Sequence, residues 1–234
     1  MSVTGLQAIP RPRPIPTLSN GDRLDAGEFM RRYAAMPAAI KAELIEGVVY
    51  MASPVSVFHG NPHADLLGWL FHYRMMTPGT DLAVDSTVRL DVGNVPQPDA
   101  ALYTLPAFGG SVQITGEGYI EGAPELVAEV STSSVSYDLG PKMSAYARNG
   151  IREYIVWRTQ DEAVDWFVLR DDTYHSLTPH ANGILRSEVF PGLWLNVSTT
   201  VARDVLRTNA ELQLGLQSPE HAQFVADLQA RRGA

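Results

Sequence analysis

The chain contains no cysteine, so disulfides and thiolate metal sites are excluded. Long apolar runs are missing too: no segment approaches the roughly 18 consecutive apolar residues that read as a membrane-spanning helix. The N-terminus lacks a basic stretch leading into an apolar core, which argues against a secretory signal and makes a cytoplasmic location the expectation. Charge is sparse, at 19% of residues against the usual value of about 25%, and its balance is acidic, with a net charge of −8. Nucleic-acid binders normally carry a basic surplus, because neutralising phosphates drives their affinity. Tight non-specific DNA binding is therefore not expected, although an enzyme whose carboxylates hold metal ions remains compatible with this charge. Lysine is nearly absent as well. Among 18 basic residues only Lys41 and Lys142 are lysines, and an ammonium differs from a guanidinium in its chemistry. The Walker A loop, the dinucleotide fingerprint, the G-x-S-x-G elbow and internal repeats are all lacking.

What is present suits one domain with tails: 234 residues, 45% of them hydrophobic. Residues 1–20, with their IPRPRPIPT run, read as a flexible proline-rich arm. Asp25 followed by Glu28 resembles a capping box opening a helix with Phe29 and Tyr33 on one face. AELIEGVVYMAS predicts a strand or hairpin. A helix follows through ADLLGWLFHYRMM, with Leu66, Leu67, Leu70 and Phe71 as its apolar stripe and Pro78-Gly79 beyond its end. LAVDSTVRLD, PDAALYT and ELVAEVS are strands, and DLGPKMSAYARN is a helix stopped by Gly150. EYIVWR, AVDWFVLR and TYHSLTP return to strand, and Ser218-Pro219 opens a last helix that reads as peripheral or as a dimer contact. Four tryptophans, Trp69, Trp157, Trp166 and Trp194, are spaced as core aromatics. The alternation predicts an α/β (α+β) fold, a mixed β-sheet core flanked by helices.

Three acidic positions sit where carboxylates are expensive. Glu129 interrupts the apolar strand LVAEVS, and an unpaired charge there costs several kcal/mol, so it must be paired, protonated or metal-bound. Asp99 opens a strand directly after Pro98, and Glu43 and Glu46 flank an apolar pair on an early strand. Carboxylates converging on one point suit a hard cation such as Mg²⁺; an ion pair of Glu129 with Arg148 or Arg152 is the alternative. Lys142, in the first part of the following helix, can aim back at the Glu129 strand and orient a water or stabilise charge on a phosphate. Tyr146, one turn later, reads as a core or rim aromatic. His59 and His63 have the i, i+4 spacing that can hold zinc on a helix. The run HGNPH lacks the glutamate of the zinc-protease motif, however, and Gly60 and Pro62 argue against a regular helix through both. His59 is then a phosphate or water contact in the turn before the helix, and His63 a helix-face residue.

In their order and spacing, ELIEG, SPVSVFH, QPDAAL, ELVAEVS, DLGPKMSAYARNGIREYIVW and FPGLWL resemble the Uma-two (Uma2) family of restriction-endonuclease-like proteins, within the PD-(D/E)XK nuclease superfamily. The resemblance covers roughly residues 25–200 and implies a nuclease domain at 21–200 with a helical extension at 201–234. It places the superfamily's PD on Pro98-Asp99 and its strand glutamate on Glu129. Both would ligate Mg²⁺ or Mn²⁺, with the Val130 backbone carbonyl as a further ligand. The early acidic residue is Glu43 or Glu46, and His59 matches the histidine after the serine-proline turn. One departure stands out: the E-x-K lysine would fall at position 131, which is Ser131, and Lys142 on the next helix takes over. The implied activity is metal-dependent hydrolysis of DNA phosphodiesters, with a homodimer suited to double-strand cutting. The rivals are a non-catalytic nucleic-acid or protein binding module on the same fold, and a phosphodiesterase for small nucleotides.

Overall fold

A computed structural model describes residues 14–232. Most of the proline-rich arm, residues 1–13, lies outside the described residues. Helix α1 (Ala26–Tyr33) begins at Asp25, whose carboxylate accepts the Glu28 N–H at 2.8 Å. The capping box is only half made, because the Glu28 carboxylate is taken by Arg31 and Arg32, each at 2.7 Å. Strands β1 (Ala42–Ile45) and β2 (Val48–Met51) form a hairpin with Leu44 opposite Val49. Its turn is Glu46-Gly47 with φ of 55° and 72°, the pair of left-handed conformations that matches the twist of the flanking strands. Leu18, Phe29 and Val95 pack on the hairpin, and Asn20 accepts the Met51 N–H at 3.1 Å. The chain is thus packed from Leu18, ahead of the expected arm boundary at residue 20.

Helix α2 (Val57–Met76) runs unbroken through His59 and His63, against the sequence expectation. Pro62 removes a single bond, the one to the Phe58 carbonyl, and Phe58 is exposed so that water can serve its carbonyl. The buried face of α2 is Leu66, Trp69, Leu70 and Tyr73, whereas Phe71 points outward.

The main sheet is built from β3 (Thr80–Val84), β5 (Ala100–Thr104), β8 (Leu126–Ser131), β9 (Glu153–Arg158), β10 (Ala163–Arg170) and β11 (Thr173–Ser176). Their spatial order is β11-β10-β9-β8-β5-β3, and only the β8–β9 pair is parallel. Between them β4 (Val88–Arg89), β6 (Gln113–Ile114) and β7 (Ile120–Glu121) form a small separate sheet. The parallel step carries the helices α3 (Val135–Tyr137) and α4 (Met143–Arg148), the usual solution for joining parallel neighbours. Alternation along β8 assigns the faces. Leu126, Ala128 and Val130 pack with α2, while Val127 packs with Tyr146, Ile151 and Tyr154 on the α4 side, where Glu129 also points. This mixed sheet with helices on it is the fold class read from the sequence.

The hairpin of β12 (Ile184–Arg186) and β13 (Trp194–Asn196) leads through α5 (Val197–Val201) to α6 (Val205–Leu216) and α7 (Pro219–Arg231). Leu212 and Leu216 join the core beneath α2, and His221 bonds Thr77 at 3.0 Å. The terminal helices are therefore part of the packed body and not peripheral. No helix among the described residues is long and apolar enough to cross a membrane.

At the start of β9, Glu153 is fully buried and accepts from Ser187, Trp166 and the Glu188 and Val189 amides. Burial pushes its carboxyl up to about 7 against these bonds, which pull it down. The folded chain then keeps a proton that the unfolded chain releases near 4.5, so stability must fall as pH rises between these values. Denaturant titrations should find about 3 kcal/mol less stability at pH 8 than at pH 4 from this group. The comparison of wild type with Glu153→Gln isolates it, and a pH-independent difference between the two would refute the assignment.

Candidate active site

Asp99 stands one residue before β5, at a bend directly after Pro98. The last β5–β8 pair is Ala100 with Ala128, so Asp99 and Glu129 are the residues next beyond it on the two chains. The Val130 N–H donates to Asp99 Oδ2 at 2.7 Å. The Val130 carbonyl interacts with His59.

Glu129 is buried, and its Oε1 receives the Lys142 ammonium at 2.8 Å and the Tyr146 hydroxyl at 2.9 Å. Lys142 is itself only 3% exposed and also pairs with Glu43 Oε1 at 2.9 Å. Glu43 in turn accepts from the Gln97 amide and from the Tyr137 hydroxyl. The backbone explains how Lys142 arrives. Residues 138–142 form a wide turn broken at Gly140, and α4 starts only after it, which lays Lys142 and Tyr146 one turn apart over β8. Ser131, at the place of the E-x-K lysine, is buried and shares a hydrogen bond of 3.2 Å with Ser134.

Electrostatics follow from this crowding. Burial pushes the Glu129 carboxyl well up, and Asp99, Asp138 and Glu43 add to it while Lys142 opposes. For Lys142 burial pulls downward, but Glu129 and Glu43 together outweigh it and hold the ammonium charged. Asp99 lies below the ordinary aspartate value: burial raises it, and His59 with the Val130 amide overcomes that. His59 is raised by the Asp99 carboxylate, with burial opposing. Glu129 and Glu43 thus share one ammonium, with Asp138 and Asp99 as further carboxylates nearby, a set of oxygen donors that suits a divalent ion. The donor chemistry fits as well, since Lys142 and Tyr146 both use Glu129 Oε1 and the described residues place no hydrogen bond on its Oε2.

The structure therefore brings together Asp99, Glu129, Val130, Lys142, Glu43 and His59. It leaves Glu46 out. Glu46 lies in the β1–β2 turn and pairs with Arg148 at the surface, whereas Glu43 pairs with Lys142. The alternative weighed for Glu129, an ion pair with Arg148 or Arg152, is not formed; its partner is Lys142. His59 sits in the first turn of α2 and not before it. The sequence reading kept His63 as a helix-face residue without its contact of 3.1 Å to the Asp99 backbone carbonyl, read Tyr146 as a core or rim aromatic without its bond to Glu129, and did not single out Tyr137. The i, i+4 spacing of the histidines was the available signal, overridden by Gly60 and Pro62.

Residues 26–198 match the family described as "Uma2: Putative restriction endonuclease". The chain belongs to the Uma2 family. No curated protein matches it. Among solved structures it is similar to a putative nuclease of DUF820 from Anabaena variabilis ATCC 29413, at 10% identity and a TM-score of 0.57. That match covers 74% of this chain and 97% of the other, and at such identity it speaks for the fold alone. In the Uma2 frame, the matched span contains every residue gathered around Asp99 and Glu129 and ends before α6.

Proposed function

We propose that this Uma2 protein is a metal-dependent endonuclease that hydrolyses DNA phosphodiester bonds. The observation that carries the reading is the meeting at one sheet end of Asp99, bonded to the Val130 amide, with Glu129, whose carboxylate lies 2.8 Å from the Lys142 ammonium. Asp99, Glu129 and the Val130 carbonyl would hold Mg²⁺ or Mn²⁺. The bound ion would polarise a phosphoryl oxygen and acidify a water. Lys142 donates to the attacking water or to the developing charge on phosphate, and it enters the reaction protonated because the flanking carboxylates hold it so. His59, leaning on Asp99 at 3.5 Å, can donate to a second phosphate oxygen at the exposed rim. Glu43 and Tyr146 position the ammonium and the Glu129 carboxylate and touch no substrate.

The test is supercoiled plasmid incubated with Mg²⁺ or Mn²⁺, beside Asp99→Asn and Glu129→Gln. Cleavage by wild type alone is the expected result; equal cleavage by all three, or none by any across both metals, would overturn the reading. Glu43→Gln is expected to slow cleavage at least about tenfold by loosening Lys142, and Glu46→Gln to leave it within about twofold. The net charge of −8 favours, as a second reading, a short nucleotide substrate over a long polyanion. A small phosphodiester turned over faster than plasmid at equal phosphate concentration would select it.

A further inference from the structure

Helix α2 opens beside Asp99 with two imidazoles on one face. His59 and His63 stand one turn apart with ring centroids 5.5 Å from each other. One ligand atom from each, with one from Asp99, lie within 4.8 Å of one another. His59 Nε2 is 3.5 Å from Asp99 Oδ1, and His63 Nε2 is 3.1 Å from the Asp99 backbone carbonyl. A carbonyl only accepts, so this contact uses a protonated Nε2 and leaves the lone pair of the neutral ring on Nδ1. All three residues are partly exposed, which gives an ion a way in.

We propose that His59, His63 and Asp99 form a site for a borderline transition-metal ion of the Zn²⁺ class. The donor set decides the class. Two imidazoles with one carboxylate favour Zn²⁺, Co²⁺ or Ni²⁺, whereas Mg²⁺ prefers oxygen alone. A tetrahedral ion with bonds of about 2.0–2.1 Å holds its ligand atoms roughly 3.4 Å apart, so closure asks for side-chain rotations of about an ångström. The regular backbone of α2 through Pro62 makes this possible by fixing both imidazoles on one face. The proposal stands on this geometry and does not need the nuclease reading, although Asp99 belongs to both positions. It adds a nitrogen-rich position to the oxygen ligands at Asp99 and Glu129.

The full chain, stripped with chelator, is titrated with Zn²⁺ and Mg²⁺ by calorimetry, and with Co²⁺ by its visible absorption. A single Zn²⁺ bound at least about 100-fold more tightly than Mg²⁺ is expected, and His59→Ala or His63→Ala should weaken it by roughly 100-fold or more. His63→Gln, closer in size, serves where alanine perturbs α2. Glu46→Gln should change Zn²⁺ affinity by less than about threefold, because Glu46 lies in the β1–β2 turn, paired with Arg148 and outside this donor set. Zn²⁺ affinity unchanged in both histidine variants, or no preference for Zn²⁺ over Mg²⁺, would overturn the site. Plasmid cleavage plays no part in these readouts, so failure of the nuclease reading would show separately.

Discussion

Replacing Lys142 with methionine is expected to lower stability in chelator by about 3–5 kcal/mol, because it leaves Glu129 and Glu43 facing each other without their shared cation. For a chain of this size that is a fall in melting temperature of roughly 10 °C. Cleavage should drop by about 10²–10³-fold, the usual cost of losing a charge aimed at a transition state. The distinguishing outcome concerns the metal. With the ammonium gone, a divalent cation is the remaining source of positive charge for these carboxylates, so Mg²⁺ should raise the melting temperature of the variant more than that of wild type. Scanning calorimetry in chelator and in Mg²⁺ reads this directly. A metal response no larger than wild type would mean that Lys142 and the ion do not share the carboxylates' field. Lys142→Arg keeps the charge, but the planar guanidinium cannot occupy the ammonium's place between Glu43 and Glu129 without moving one of them. It should recover part of the stability and little of the cleavage.

The elements of the fold were legible wherever one pattern dominated. LVAEVS reads as a buried strand because every residue but two is apolar, and it is buried throughout. The same pattern made Glu129 conspicuous, as a charge set in apolar surroundings. Asp99 carried no such signal, since an aspartate after proline is ordinary in turns; only the ordered motifs around it gave it weight. Lys142 stood out by rarity, yet its reach depends on the break at Gly140, which no periodicity contains. Glu43 and Glu46 could not be separated because the position of a hairpin turn decides whether a residue lies in a strand, and both a continuous strand and a turn at Glu46-Gly47 fit AELIEGVVYMAS. His63 was hidden by a local rule that held too strongly. Pro62 costs a helix one bond and one clash, and near the exposed first turns that cost is offset by the tertiary burial of Leu66, Trp69 and Leu70. The last helix was misjudged for a related reason: its core contacts come from His221 and Phe224, and only their packing on Tyr73, Thr77 and Phe190 shows that it covers the core.

Glu129→Gln should invert the order of stabilities between metal-free and metal-loaded protein. Gln keeps an oxygen in the place of Oε1, so the Tyr146 hydroxyl still has its acceptor, and Lys142 still has Glu43 at 2.9 Å. What the substitution removes is a buried negative charge that burial and three neighbouring carboxylates disfavour. In chelator the variant should therefore melt at or above the wild-type temperature. With metal present the wild type gains about 2.7 kcal/mol at a concentration 100 times its dissociation constant, and a variant without that ligand gains little. Cleavage should fall by at least about 10³-fold, since the residue both holds the ion and fixes the ammonium beside the reacting phosphate. A variant less stable than wild type in both conditions would show that the Lys142 pair alone repays the burial of Glu129. A crossing of the two stability orders would instead mark Glu129 as a position where the fold tolerates a destabilising charge because a bound cation uses it.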